Sequence, residues 1–231
     1  WRGERVLEGA FGARAREEGN GLGYETIAAA GDHANTLHWI NNDGPVEPGQ
    51  LVLVDAGVEV DSLYTADVTR VYEAVLEAAD AAFARAGEPG CRFRDVHTAA
   101  MEVIAARLQE WGLLPEGVTA ADSLGPEGQY HRRWMVHGTS HHLGLDVHDC
   151  AQARREMSMD AELVPGMVFT IEPGLYFRAD DLRVPAELRG TGVRIEDDVV
   201  VREDGRIDYL TAAIPRTADD VEAWVSGLIA Q

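Results

Sequence analysis

The stretch LVLVDAGVEVDSLYTADVTR, residues 51–70, opens with four apolar residues and then sets Asp55 and Asp67 among Val, Leu, Tyr and Thr. That composition favours β-strand, and Asp61–Ser62 supplies turn chemistry between two strands. A hairpin centred on Asp61 makes Asp55 and Asp67 cross-strand partners on one face, with Cβ atoms roughly 4.5–5.5 Å apart. Two carboxylates facing each other in a buried sheet repel, and each ion is costly to desolvate. Something must compensate. A divalent metal answers this best; a shared proton or a nearby arginine is the alternative.

The rest of the chain allows such a site. With 231 residues, 45% of them apolar, there is material for a sizeable core in one large domain or two small ones. A formal charge of -20 and a pI near 4.6 argue against nucleic acid as a partner, because phosphate binding needs clustered Lys and Arg. Most of the acidity reads as solvated surface, as at Glu17–Glu18 and Asp219–Asp220. Cys91 and Cys150 stand far apart and in no CxxC motif, so neither a zinc ribbon nor a disulfide scaffold is indicated; a reducing cytoplasm fits. No apolar run reaches membrane-spanning length and no signal peptide is visible, so no membrane partner is expected. The chain begins Trp1–Arg2 rather than with Met, and its natural start is expected upstream.

Local patterns give one α+β domain, two groups of antiparallel strands with helices between them covering one face. Residues 1–18 read as the later part of a helix stopped by Gly19 to Gly23. Tyr24 to Ala30 and Leu37 to Trp39 read as strands flanking a polar turn, and 41–49 as loop. YEAVLEAADAAFARA, from Tyr72 to Ala86, is a strong helix ended by Glu88-Pro-Gly, and Arg94 to Trp111 is a second. Residues 112–128 form a turn-rich connection. Met167–Glu172, Leu175–Arg178 and Gly192–Arg202 read as strands, and Ala218–Leu228 as a closing helix.

Five of the eight histidines fall between His131 and His148, in HRRWMVHGTSHHLGLDVHD. A lone histidine is most often a satisfied polar residue. A cluster beside Gly138 and Gly144, where the backbone can turn sharply or come close to something, is different. Not all five can be ligands; one or two as ligands and one or two as substrate contacts is a sensible division. Two further acids sit in apolar strands: Glu172 ends MVFTIE, and Glu196 lies in VRIEDDVVV. The bland alternatives are a strand-end carboxylate paired with Arg194 and an outward-facing residue on a half-exposed strand. Taken with Asp55, Asp67 and one histidine, they make an oxygen-rich set with one nitrogen, suited to Mn²⁺, Co²⁺, Fe²⁺ or Zn²⁺. Four carboxylates are too much charge for one divalent ion; two ions about 3.5–4 Å apart would balance it.

VDAG…YTADVTR, HGTSHHLGLDVHD, LVPGMVFTIEPGLY and GVRIEDDVVV, in this order, resemble the metallopeptidase family of methionine aminopeptidase, aminopeptidase P and prolidase. The resemblance runs from about Tyr24 to Val201 and is nearest to aminopeptidase P. It implies the pita-bread (creatinase-like) fold with pseudo-two-fold halves, and a metal-dependent Xaa-Pro aminopeptidase. It implies two divalent metals, Mn²⁺ foremost. Asp55 would bind one metal through both oxygens, Asp67 and Glu196 would bridge the pair, and His141 and Glu172 would complete the other site. A bridging water or hydroxide would be the nucleophile, with Glu172 taking its proton and passing it to the leaving prolyl nitrogen. His38 matches a family histidine near the scissile bond, His148 would stabilise the tetrahedral intermediate, and His137 would shape the prolyl pocket. Tyr176 and Arg194 match positions beside the metals and are candidate substrate-side residues.

The implied substrate is a peptide with proline in second position, whose scissile bond lacks the amide hydrogen and whose ring is rigid. The absence of a G-x-S-x-G elbow agrees with a reaction that needs no covalent intermediate. The alternatives are an X-Pro dipeptidase and an inactive pita-bread binding domain. Two departures from the family stand out. The connection from the DVTR strand to the next helix is short, Arg70-Val71 running straight into YEAVLEAAD. The N-terminal domain usual in such proteins is absent from residues 1–231, which bears on assembly into a homo-oligomer and on closure of the site.

Overall fold

The computed structural model describes residues 3–70, 73–150 and 152–229. Among them the elements run α1 (Gly3–Glu18), β1 (Gly21–Leu22), β2 (Ile27–Ala30), β3 (Val52–Ala56), β4 (Val58–Glu59), β5 (Val68–Arg70), α2 (Glu73–Ala86), α3 (Phe93–Glu110), α4 (Ala120–Leu124), β6 (Val168–Ile171), β7 (Gly174–Phe177), β8 (Thr191–Arg194), β9 (Asp197–Val201), β10 (Ile207–Tyr209) and α5 (Ala218–Ile229). Every pairing between these strands is antiparallel. Three-stranded sheets β2-β3-β5 and β10-β9-β6 are accompanied by the pairs β1-β4 and β7-β8. No described helix is long and apolar enough to cross a membrane. The short connection expected at Arg70–Tyr72 falls on residues 71–72, outside the described residues.

The hairpin of residues 51–70 forms, but its centre is Ser62 rather than Asp61. Asp55 therefore faces Thr69, and Val54 faces Arg70. Leu63 N donates to Val60 O, Val60 N donates to Tyr64 O, and Leu63 lies in the left-handed region at φ 67°. This is a three-residue loop whose last residue is left-handed, a common hairpin closure. The shift of one residue in the centre slides every cross-strand partner by two. Asp55 and Asp67 keep a common face because side chains alternate with period two, but they are diagonal neighbours and not directly opposite.

Three other expectations change. Leu37–Trp39 is not a strand; residues 31–44 form an irregular loop that opens with a 3-10 turn at Gly31–Asn35. Residues 192–202 are not one strand, since β8 and β9 belong to different sheets. The chain changes sheets at Ile195–Glu196, where Ile195 N donates to Pro173 O and Glu196 N to Thr69 O. Finally, the 112–128 connection contains α4, announced by a capping box: Asp122 N donates to the Thr119 hydroxyl and Thr119 N to the Asp122 carboxylate.

The principal core joins α2 and α3 to the sheets behind the site. Ala78, Ala79 and Ala82 of α2 and Val96, Ala100, Ile104 and Leu108 of α3 share one cluster with Phe169, Ile171, Val193, Val199 and Val201. Each large apolar side chain buried there contributes about 1.5–3 kcal/mol. A smaller cluster of Ile27, Ala29, Ala34 and Leu53, with Trp39 against it, supports β2 and β3. Both cores lie under strands that carry the acids, so these acids sit on a rigid platform.

Candidate metal centre

A backbone bridge between Thr69 and Glu196 joins β5 to the segment linking β8 and β9. Around it the strand ends deliver four carboxylates. Asp55 comes from β3, Asp67 immediately precedes β5, Glu172 lies between β6 and β7, and Glu196 lies between β8 and β9. His141 arrives on an irregular segment that runs beside β6, with Thr170 N donating to His141 O and Leu143 N to Val168 O. These five residues line one cavity of about 630 Å³, together with His38, His137, His148 and Arg194. A larger cavity of about 750 Å³, bordered by Leu51, Val75, Phe177 and Arg189, has no histidine and only Asp32 and Glu187 as acids. The chemistry therefore belongs to the smaller one.

Asp67, His141 and Glu196 offer ligand atoms that all lie within 4.8 Å of one another. His141 Nε2 stands 3.4 Å from Asp67 Oδ2, 3.7 Å from Glu172 Oε1 and 3.8 Å from Glu196 Oε1. Its Nδ1–H points at the His142 carbonyl at 3.3 Å. Although burial opposes it, the hydrogen bond to Asp67 and the charges of Glu172 and Asp67 raise the imidazole's pKa, so Nε2 holds a proton toward the acids that a metal would displace. Asp55 belongs to the same cavity but is held differently. Arg194 Nη2 pairs with its Oδ2, and the Tyr24 hydroxyl lies 2.6 Å from its Oδ1. Each Asp55 oxygen has a second lone pair, so a metal can take both oxygens while Arg194 and Tyr24 hold their orientation.

The electrostatics match the cost anticipated for facing acids. Burial, reinforced by Asp67, Glu172 and Asp55, pushes the Glu196 carboxyl well above its usual range. Burial pushes Glu172 up to about 8, although His141 and Arg194 oppose the rise. Asp55 is also raised by burial against the pull of Arg194. Asp67 goes the other way, because hydrogen bonds from His141 and Tyr24 outweigh its burial. Arg194 is the buried cation in the midst of this group, pairing with Asp55 and standing 3.9 Å from Glu196 Oε2. Its Nε donates to the Thr69 hydroxyl, which donates in turn to Glu196 Oε2 at 2.9 Å. A hard-oxygen set with one imidazole fits a divalent cation.

The other predicted residues take distinct places. Arg194 Nη1 donates to the Tyr176 hydroxyl at 3.0 Å, and that hydroxyl donates to His137 Nε2 at 2.7 Å. His137 Nδ1–H points at the Gly138 carbonyl, so the ring is a fixed neutral tautomer; burial and Arg194 lower its pKa to about 4. Tyr176 thus stands behind His137 and is buried, rather than lining the cavity wall. Arg194 pairs with Asp55, not with Glu172 as the bland reading had it. His148 packs edge-on to His141 with ring centroids 4.3 Å apart, and His38 lines the cavity from the 31–44 loop. His131 and His142 are structural: His131 is buried against Ser123, and His142 stacks on Phe93 at 4.3 Å.

Tyr24 is the residue that the sequence reading missed. Its hydroxyl spans the two aspartates, 2.6 Å from Asp55 Oδ1 and 2.5 Å from Asp67 Oδ1. The available signal was Gly57 within a strand pattern. A Cβ there would lie 2.5 Å from Tyr24 Cε1, and a glycine inside a strand marks a close approach. Asp198 was also passed over; its Oδ2 accepts from Asp67 N at 3.2 Å, and burial raises its pKa to about 7.

The comparisons with known proteins agree with this geometry. The model of metallopeptidase family M24 matches residues 3–203. Xaa-Pro aminopeptidase 2 of Streptomyces coelicolor is 55% identical over 237 residues, covering 96% of this chain and 49% of that protein. The Xaa-Pro aminopeptidase of Escherichia coli is 36% identical over 214 residues, 87% of this chain and 46% of the relative. The solved structure of an aminopeptidase from Pseudomonas aeruginosa superposes with a TM-score of 0.90 at 34% identity, covering 99% of this chain and 53% of that one. Aminopeptidase P from E. coli with the inhibitor Pro-Leu gives a TM-score of 0.88 at 32% identity, with 99% and 53% covered. The chain thus spans about half the length of these relatives, and its fold is the expected pita-bread fold. The strand-end acids, His141 beside them and these matches together place the chain in metallopeptidase family M24.

Proposed function

We propose that residues 1–231 form one catalytic domain of a metal-dependent aminopeptidase that releases the first residue from peptides with proline in second position. One observation carries this reading: Asp55, Asp67, Glu172 and Glu196 converge with the His141 imidazole in a single cavity, and the buried guanidinium of Arg194 pairs with Asp55. Two divalent ions, Mn²⁺ foremost with Co²⁺, Zn²⁺ and Fe²⁺ as alternatives, are the proposed cofactors. Asp67 and Glu196 would be shared between them, Asp55 would hold one, and His141 and Glu172 the other. When bound, such ions supply Lewis acidity and an acidified water.

The remaining chemistry rests on the chain's own side chains. Glu172, whose carboxyl burial raises to about 8 in the metal-free chain, would lose its own proton to a bound cation and then accept one and return it to the prolyl nitrogen as the bond breaks. His148 and His38 face the cavity as donors for the developing oxyanion and the substrate backbone. His137, fixed through Tyr176 and Arg194, offers a neutral ring against which a proline can pack. The substrate class is supported by the relatives named Xaa-Pro aminopeptidase and by the complex of the E. coli enzyme with Pro-Leu.

The test compares an Xaa-Pro-Yaa tripeptide with an Xaa-Pro dipeptide in the presence of Mn²⁺. Release of Xaa from the tripeptide, lost in Glu172→Gln, is the expected result. Cleavage of the dipeptide alone would make the chain a dipeptidase. Cleavage of neither, with no uptake of divalent metal, would leave a binding domain without activity.

A further inference from the structure

We propose that Glu4 is the positioning residue for His38: one buried carboxylate cinches the 31–44 loop at four points and so holds that histidine over the cavity. The role given to His38 rests on the peptidase reading; the way the loop is held does not.

Glu4 lies at the start of α1 and is fully buried. Its Oε1 accepts from Ala30 N at 2.8 Å and from His33 Nδ1 at 2.8 Å. Its Oε2 accepts from Trp39 Nε1 at 2.9 Å and from Gly44 N at 2.7 Å. The donors therefore come from the residue entering the loop, from two residues within it and from its exit. Glu4 N closes the last contact by donating to Gly44 O at 3.3 Å. His33 and Trp39 also stack, with ring centroids 3.9 Å apart. Gly44 has to be glycine, because a Cβ there would fall 2.6 Å from His33 Cε1 and 2.9 Å from Glu4 Oε2.

His38 immediately precedes Trp39 and lines the cavity with Leu37 and Ile40. Among the described residues its imidazole has no hydrogen-bond partner, so its place is set by the backbone on which it rides. That backbone has no strand pairing. What fixes it is a carboxylate whose lone pairs match four donors, an acceptor-only group that an amide cannot imitate. A glutamine at position 4 would turn an NH₂ group toward two N–H donors.

The experiment uses the full chain loaded with Mn²⁺, with Glu4→Gln, Trp39→Phe, His38→Ala and the Glu4→Gln/His38→Ala pair. Amide exchange read by mass spectrometry is expected to quicken at least tenfold across residues 30–44 in Glu4→Gln, while β3 is unchanged. Tripeptide kcat/KM is expected to fall at least tenfold, and that fall is expected to vanish when His38 is already alanine. Should Glu4→Gln fail to fold, Trp39→Phe removes one donor, keeps a ring against His33, and is expected to quicken exchange in the same segment about threefold. Unchanged exchange over 30–44, or losses that multiply in the double variant, would overturn the proposal. If the wild type cleaves no Xaa-Pro peptide, the peptidase reading fails while the exchange measurement still decides how the loop is held.

Discussion

Replacing Tyr24 with phenylalanine removes one oxygen from between Asp55 and Asp67 and leaves the ring packed against Gly57. A hydroxyl carries one proton, so at any instant it donates to only one of the two carboxylates. The loss is therefore one charge-assisted hydrogen bond, about 1.5–3 kcal/mol where no water replaces it. The bond orients groups proposed as ligands, and loss of such support typically costs about 10–100-fold in metal affinity. That range is about 1.4–2.7 kcal/mol, in line with the hydrogen-bond figure. Isothermal titration with Mn²⁺ on chelator-treated wild type and Tyr24→Phe measures it directly. The dissociation constant is expected to rise 10–100-fold with stoichiometry and far-ultraviolet circular dichroism unchanged. A dissociation constant within twofold of the wild type would refute the claim that this hydroxyl sets the two aspartates for metal.

Other perturbations probe the same account. Arg194→Met removes the buried guanidinium that pairs with Asp55 and is expected to destabilise the metal-free chain by about 3–5 kcal/mol in urea unfolding. Glu172 and Asp198 have folded pKa values raised to about 8 and about 7, so the folded state binds their protons more tightly than the unfolded chain does. The stability this contributes is full below the ordinary carboxylate range and is lost as pH rises through 7 and 8. The urea midpoint of the metal-free chain is therefore expected to fall between pH 5.5 and 8, and added Mn²⁺ to raise it most at pH 8, where fewer protons compete for the ligands. Phe169→Ala, at a fully buried position of the principal core, is expected to cost about 3–5 kcal/mol by the same unfolding assay.

Acids in apolar strands were the most legible feature of this chain. Glu172 and Glu196 stand out in MVFTIE and VRIEDDVVV because nothing in strand propensity calls for them, and both reach the site. The helices α2 and α3 were equally readable, since long runs of Ala, Glu and Leu need no tertiary partner to be recognised. Strand register was not: a single residue in the loop at Asp61–Leu63 decides which residue faces Asp55, and composition does not count loop residues. The break at Ile195–Glu196 was hidden because β-rich sequence continues on both sides of it. Tyr24 and Glu4 were invisible for another reason. A tyrosine before a strand and a glutamate in the first turn of a helix are ordinary in sequence. Their roles come from partners some 26 to 43 residues away, which leave no periodic trace.

The central claim is that the acids of this cavity serve metal-dependent release of a residue preceding proline. It is tested most directly by following free Xaa from an Xaa-Pro-Yaa tripeptide with the chain stripped by chelator, before and after addition of Mn²⁺. The account predicts no release from the stripped chain and full recovery on adding the ion. Release that persists after stripping, or no release with Mn²⁺, Co²⁺, Zn²⁺ or Fe²⁺, would contradict it.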